Sequence, residues 1–135
     1  MPWMQRATST AAQRIGDAGE ALVASRLEAA GWTILARNVR VGRDELDLVA
    51  IDPGPPRALV VVEVRRRGRR DFGFAEETVD HRKRTTLRRA AGTLLERGML
   101  PDGRPLPSLP LRIDIVALDV GADGRPSVRH HRAAI

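Results

Sequence analysis

The sequence predicts one α/β domain, a mixed β-sheet flanked by helices, with elements in the order αβββαββ. Three features point there. Five short segments rich in apolar and β-branched residues are separated by turn-forming residues. Two longer stretches carry helix-type apolar spacing, and each stops at a glycine. The length, 135 residues, suits one domain with one modest core.

Residues 1–13 read as a flexible N-terminal arm, and residues 14–135 as the single domain. The arm is polar and rich in small residues, without the apolar centre of a signal peptide. A helix fits Arg14 to Ala30 and stops at Gly31. Trp32 to Val41 fits a first strand, Gly42-Arg43-Asp44 a turn, and Glu45 to Ile51 a second strand. Asp52-Pro53-Gly54-Pro55-Pro56 is a loop, because prolines supply no ladder donors. Ala58 to Arg66 fits a third strand, apolar on both faces as a central, doubly covered strand would be. A basic loop, Arg67 to Gly73, precedes a helix over Glu76 to Arg97, whose buried stripe is Val79, Leu87, Ala91, Leu94 and Leu95. Pro101 to Pro110 is a loop. Leu111 to Val120 fits a fourth strand, and Ser127 to His131 a short last one.

Composition narrows the function classes. The absence of cysteine excludes disulfides, thiolate metal sites and a cysteine nucleophile. The longest apolar run, Ala58 to Val62, is too short to span a bilayer, so the expectation is a cytoplasmic protein with no membrane partner. Lys and Arg number 23 against 17 Asp and Glu, a formal charge of +6, and Lys83 is the one lysine. Arginine's planar fork suits phosphate, although an Arg-biased genome would give the same composition.

The informative residues are charges that break the apolar pattern. In the first helix Glu20 lies near the line of Leu27, at the border of the apolar arc, where it either faces the sheet or reaches solvent. In the second strand Glu45, Asp47, Val49 and Ile51 share one face, and Leu46, Leu48 and Ala50 the other. In the third, Leu59, Val61, Glu63 and Arg65 share a face. A carboxylate ending so apolar a strand is costly unless it is paired or binds a metal. Lys83 falls on the buried stripe of the second helix, either snorkelling to solvent or reaching a site. Asp47 followed by Glu63-Val64-Arg65 therefore reads as two carboxylates on neighbouring strand ends beside a basic residue. Oxygen ligands of this kind favour Mg²⁺ or Mn²⁺, and such an ion can activate water against a phosphodiester. Arg66, Arg67, Arg69 and Arg70 form a basic run beside the site, either a solvated charge run or phosphate contacts. His81, His130 and His131 show no metal spacing and read as surface residues, and Asp114 reads as the ion-pair partner of Arg112.

Several motifs in order resemble one family. Gly16-Asp17-Ala18-Gly19-Glu20, Arg37-Asn38-Val39-Arg40, Asp44 to Ala50, Val62-Glu63-Val64-Arg65, Phe72-Gly73, Lys83 and Arg112 to Val116 are similar to the YraN family of endonuclease-like proteins, over roughly Gly16 to Leu118. That family is similar to Holliday-junction resolvases and to restriction endonucleases with an Asp…Glu-x-Lys core. The resemblance implies a restriction endonuclease-like fold and a divalent metal, Mg or Mn, held by Asp47 and Glu63. Glu20 would match the helix carboxylate and Lys83 a basic helix position. It also implies DNA as partner, branched forms included; resolvases of similar fold act as dimers, which leaves a homodimer open, although the sequence shows no exposed apolar stripe that demands one. The chain departs from the pattern where Arg65 replaces the lysine and Asp44 replaces a glycine. Arg65 can steady a phosphate but keeps its proton, so it is a poor general base. Two functions follow as expectations: a metal-dependent endonuclease using Glu20, Asp47, Glu63, Arg65 and Lys83, or a nuclease-fold binding module with weak or no turnover.

Overall fold

The computed structural model describes residues 11–67 and 79–135, with side chains from 17 to 66 and from 79 onward. The elements are α1 (Ala11–Ala29), β1 (Thr33–Val41), β2 (Asp44–Asp52), β3 (Ala58–Arg67), α2 (His81–Arg97), β4 (Leu111–Val120) and β5 (Pro126–His131). The expected αβββαββ order is the observed one. The strands form one mixed sheet in spatial order β1-β2-β3-β4-β5. β3 and β4 are parallel, and the other neighbours are antiparallel. A parallel pair needs a crossover, and the segment holding α2 supplies it.

Both faces of the sheet are covered. Val23, Ala24 and Leu27 of α1 pack with Trp32 on Leu48, Ala50, Val60, Val62, Val116 and Leu118. Leu87, Ala90, Ala91 and Leu94 of α2 pack on Leu46, Val49, Leu59, Val61, Ile113 and Ile115. β3 is thus the central strand its valines implied. Each buried valine or leucine is worth roughly 1.5–3 kcal/mol, so a slip of one residue along β3 is prohibitive. That locks Glu63 onto the α2 face of the sheet.

Several expectations need correction at their ends. α1 begins at Ala11 rather than Arg14, β1 at Thr33 rather than Trp32, and β2 gains Asp44 and Asp52. α2 starts at His81, not Glu76: Val79 and Asp80 are not helical, and Glu76 lies outside the described residues. Asp80 caps the helix, its Oδ1 accepting from the Lys83 N–H at 2.9 Å. Leu95 is 45% exposed, and Ala90 takes the stripe position instead. Residues 87, 90, 91 and 94 follow the 3.6-residue period, which Leu95 leaves by one further step. Leu46 packs with Val49 on the α2 side although simple alternation grouped it with Leu48. No helix among the described residues is long and apolar enough to cross a membrane.

Candidate functional site: a carboxylate cleft where two strands part

The β2–β3 ladder runs from Asp52 opposite Ala58 to Leu48 opposite Val62 and ends there. Beyond it, the Val64 N–H donates to Asp47 Oδ2 at 2.8 Å, so a side chain replaces the ladder carbonyl. The strands part at this point, which also frees Leu46 to turn onto the other face. The Asp47 carboxyl occupies the opening, within hydrogen-bond reach of both Glu20 and Glu63.

Glu63 is 2% exposed. Its Oε1 meets two cations, Arg65 Nη1 at 3.4 Å and Lys83 Nζ at 3.5 Å. Its Oε2 is buried and has no hydrogen-bond partner among the described residues. Asp47 beside it is another acceptor, and two ionised carboxylates offer each other no proton. Burial, then the Asp47 charge, pushes the Glu63 carboxyl up to about 7 against the pull of Lys83 and Arg65. Glu20 is also raised to about 7, by burial and then by Asp47, with Arg37 opposing.

Local structure explains how α1 brings its acid in. Gly19 is buried, and a Cβ there would lie 3.2 Å from Leu118 Cδ1, so glycine lets the helix sit close on β4. Glu20, the next residue, then reaches the sheet. Across from it, Asn38 stands in the left-handed region at φ 51°, a conformation Asn tolerates better than most residues. With its amide nitrogen turned to the acids, Asn38 donates to Glu20 Oε2 at 2.7 Å and Glu45 Oε1 at 3.2 Å. Sequence reasoning gave Asn38 no role. The signal was a strand-disfavouring Asn in the middle of β1.

Lys83 stands in the first turn of α2, where no acidic residue is present. A cation there opposes the helix dipole by about 0.3–1 kcal/mol. Its contact with Glu63 offsets that local penalty.

The structure thus joins Glu20, Asp47, Glu63, Arg65 and Lys83. The acids form a chain of pairs with Asp47 in the middle. Among the described residues, no group of three or more His, Cys, Asp or Glu is arranged to enclose an ion. Asp47 and Glu63 remain the pair that fits a hard cation, because both donors are carboxylate oxygens and one is buried without a donor. Arg66 and Arg67 lie in β3, opposite Leu118 and Asp119, rather than both entering the basic loop. The strand continues because β4 keeps supplying ladder partners. Arg66 lines a hollow beside Ala18, Gly19 and Leu22 on the α1 face. Arg69 and Arg70 lie outside the described residues.

Away from this cleft, Asp114 is fully buried and bound to Arg112 Nε and Nη2, both at 2.9 Å, as expected. His130 is not a plain surface residue. Its Nε2 lies 2.8 Å from Asp114 Oδ2, because β5 pairs with β4 and carries the ring over Asp114.

Comparison with known proteins shows the family. The family described as "Uncharacterised protein family UPF0102" matches residues 19–118. The chain belongs to the UPF0102 family. A UPF0102 protein of Symbiobacterium thermophilum is 41% identical over 114 residues, covering 84% of this chain and 88% of that protein. The UPF0102 protein of Roseiflexus castenholzii is 41% identical over 108 residues, 80% and 81% of the two chains. That of Deinococcus radiodurans is 37% identical over 108 residues, 80% and 82%. UPF0102 is the YraN family to which the motifs pointed. The matched span runs from Gly19, where α1 meets β4, to Leu118, so it takes in every residue of the cleft.

Proposed function

We propose that this chain binds nucleic acid and hydrolyses phosphodiesters as a metal-dependent endonuclease, with DNA, branched forms included, as its substrate class. The observation that carries this reading is the buried Glu63 Oε2 without a donor, beside Asp47 and behind two cations. Asp47 and Glu63 would hold Mg²⁺ or Mn²⁺, with Glu20 next to Asp47. Such an ion, when bound, neutralises phosphate charge and lowers the pKa of water.

The chain's own groups have separate tasks. The Val64 N–H orients one Asp47 oxygen. Arg65 and Lys83 place two positive charges where a phosphate would approach Glu63. Glu20 and Glu63 titrate near neutral pH, the range in which a carboxyl can accept a proton from water and return it. In the hydrolysis, a water oxygen–phosphorus bond forms and the ester oxygen–phosphorus bond breaks. The water's proton leaves to a carboxyl or solvent, and the departing oxygen gains one.

The test is a cleavage panel with Mg²⁺ and Mn²⁺ on duplex, flap, single-stranded and four-way substrates. Metal-dependent cutting that Asp47→Asn and Glu63→Gln both remove is expected. Cutting that survives both substitutions would place the chemistry elsewhere.

Arg65 favours a second reading, a binding module with feeble turnover, because a guanidinium stays protonated where a lysine amine can titrate. Under it, Arg65→Lys raises the single-turnover rate at saturating protein while DNA affinity changes little. A wild type that cuts faster than the Lys variant would make Arg65 an adaptation and remove this second reading.

A further inference from the structure

We propose that one nucleic-acid strand crosses the α2 side of the sheet, transverse to the β-strands, in two basic grooves that flank the carboxylate cleft. This rests on the nucleic-acid reading above and adds a path for the strand. Neither groove uses the arginine run after Glu63.

The first groove, about 400 Å³, lies between the β1–β2 turn and the later turns of α2. Arg43, Arg89 and Arg97 line it. Asp44 is the one acid in its lining among the described residues, and it faces Arg89 at 3.4 Å. The second groove, about 800 Å³, lies at the β4–β5 side, beside the start of α2. Arg84, His131 and Arg132 line it, over Ile115, with no acid in the lining among the described residues. Arg84 is anchored there by its bond to the Ala134 carbonyl at 3.0 Å. Arg132 is 62% exposed at its side chain; its Nη1 lies 3.6 Å from Asp52 Oδ2 and its guanidinium 6.0 Å from the Trp32 ring, contacts that hold it at the edge of the groove with its exposed side open to a phosphate.

Strand order sets the cleft between them. The first groove belongs to β1 and β2, the acids to β2 and β3, and the second groove to β4 and β5. Register sets the second groove level with the acids, because Glu63 lies beside Ile115, and Ile115 beside His131, whereas Asp44 of the first groove lies beyond Asp47 along β2. Neighbouring strands are about 4.8 Å apart and residues about 3.3 Å apart along them, so the grooves are separated by about 14 Å across the strands and about 10 Å along them, about 17 Å in all, or about five nucleotides of a duplex strand's rise. A polymer with a phosphate at every step fits two cationic grooves around an acidic centre. The opposite face differs: its hollow near α1 is lined by Ala18, Gly19, Leu22 and Leu118 as well as Arg66.

The test measures affinity of the full chain for a fluorescent duplex against salt, in EDTA so that nothing is cut. Arg43→Gln with Arg97→Gln should lower the slope of log K against log salt by about two units, and Arg132→Gln by about one. Arg26→Gln with Arg57→Gln removes two charges from α1 and the β2–β3 loop, away from both grooves, and should leave the slope unchanged. Melting curves confirm that each variant is folded. A second Arg132 variant, Arg132→Lys, should restore most of the slope while changing the Trp32 contact, which separates phosphate binding from a structural role. Equal losses in the control and groove variants would overturn the path in favour of diffuse charge. Unchanged slopes in the groove variants would send the strand elsewhere. A wild type that binds no duplex or single strand at all would overturn the nucleic-acid reading and this path with it.

Discussion

Two buried acid clusters in this small domain have opposite fates. At one end, Asp114 is enclosed by donors: two from Arg112, one from the His130 ring and one from the Ala133 N–H at 2.9 Å. The same Arg112 reaches Asp52 at 2.8 Å, and its guanidinium lies 5.7 Å from the Trp32 ring. At the other, among the described residues, Glu63 has two cations on one oxygen and none on the second. Burial pushes both carboxyls upward. For Asp114 the bonds from His130, Arg112 and Ala133 override it and hold the group at about 2. For Glu63 the Asp47 charge reinforces it, and the group rises to about 7. Burial is therefore not what sets these two acids apart; the supply of donors is. The first cluster is finished by the chain itself. The second leaves Glu63 Oε2 without a donor among the described residues.

The largest expected effect is in the finished cluster. Asp114→Ala leaves His130 and the Ala133 N–H without their partner and should reduce stability by about 3–5 kcal/mol, a large part of a domain's total. Urea unfolding measures it. A loss below about 1 kcal/mol would mean that the cluster is not the structural element the comparison makes it.

The two clusters should also respond to pH with opposite signs. Asp114 sits below its ordinary 3.8, so its contribution is present above that value and disappears as pH falls through about 2. Glu63 sits above its ordinary 4.5, so the folded state holds its proton longer than the unfolded state. Its contribution is complete below 4.5 and is lost as pH rises through about 7. In EDTA, Glu63→Gln should therefore match wild type at pH 4 and exceed it at pH 8, on the order of 1–3 kcal/mol. Urea midpoints at the two pH values decide it. A Gln variant less stable at pH 8 would show that Glu63 is already satisfied.

The smallest effect sharpens what the second cluster lacks. Mn²⁺ at ten times its dissociation constant should stabilise the chain by about 1.4 kcal/mol. Asp47→Asn should remove the increment without lowering metal-free stability, because it also relieves repulsion between acids. Thermal melts with and without the ion measure both. An increment that persists in Asp47→Asn would place the ion elsewhere.

Much of this was legible in the residues because it is local. Two-residue alternation put Glu63 on a face with Leu59 and Val61, valine content made β3 central, and the spacing of Arg112 and Asp114 announced their pair. Hydrophobic burial enforces each of these along a single strand, so the pattern survives into the sequence. Only tertiary structure decided the rest. Which of two buried acids is satisfied depends on donors from far along the chain: His130 on β5 and the Ala133 amide for Asp114, Lys83 on α2 for Glu63. The parting of β2 from β3 at Leu48 depends on the Asp47 side chain taking the Val64 N–H. Asn38 met Glu20 only because Gly19 let α1 settle on Leu118. Periodicity records which face a side chain takes, whereas the partner it finds there is set by packing between elements distant in sequence.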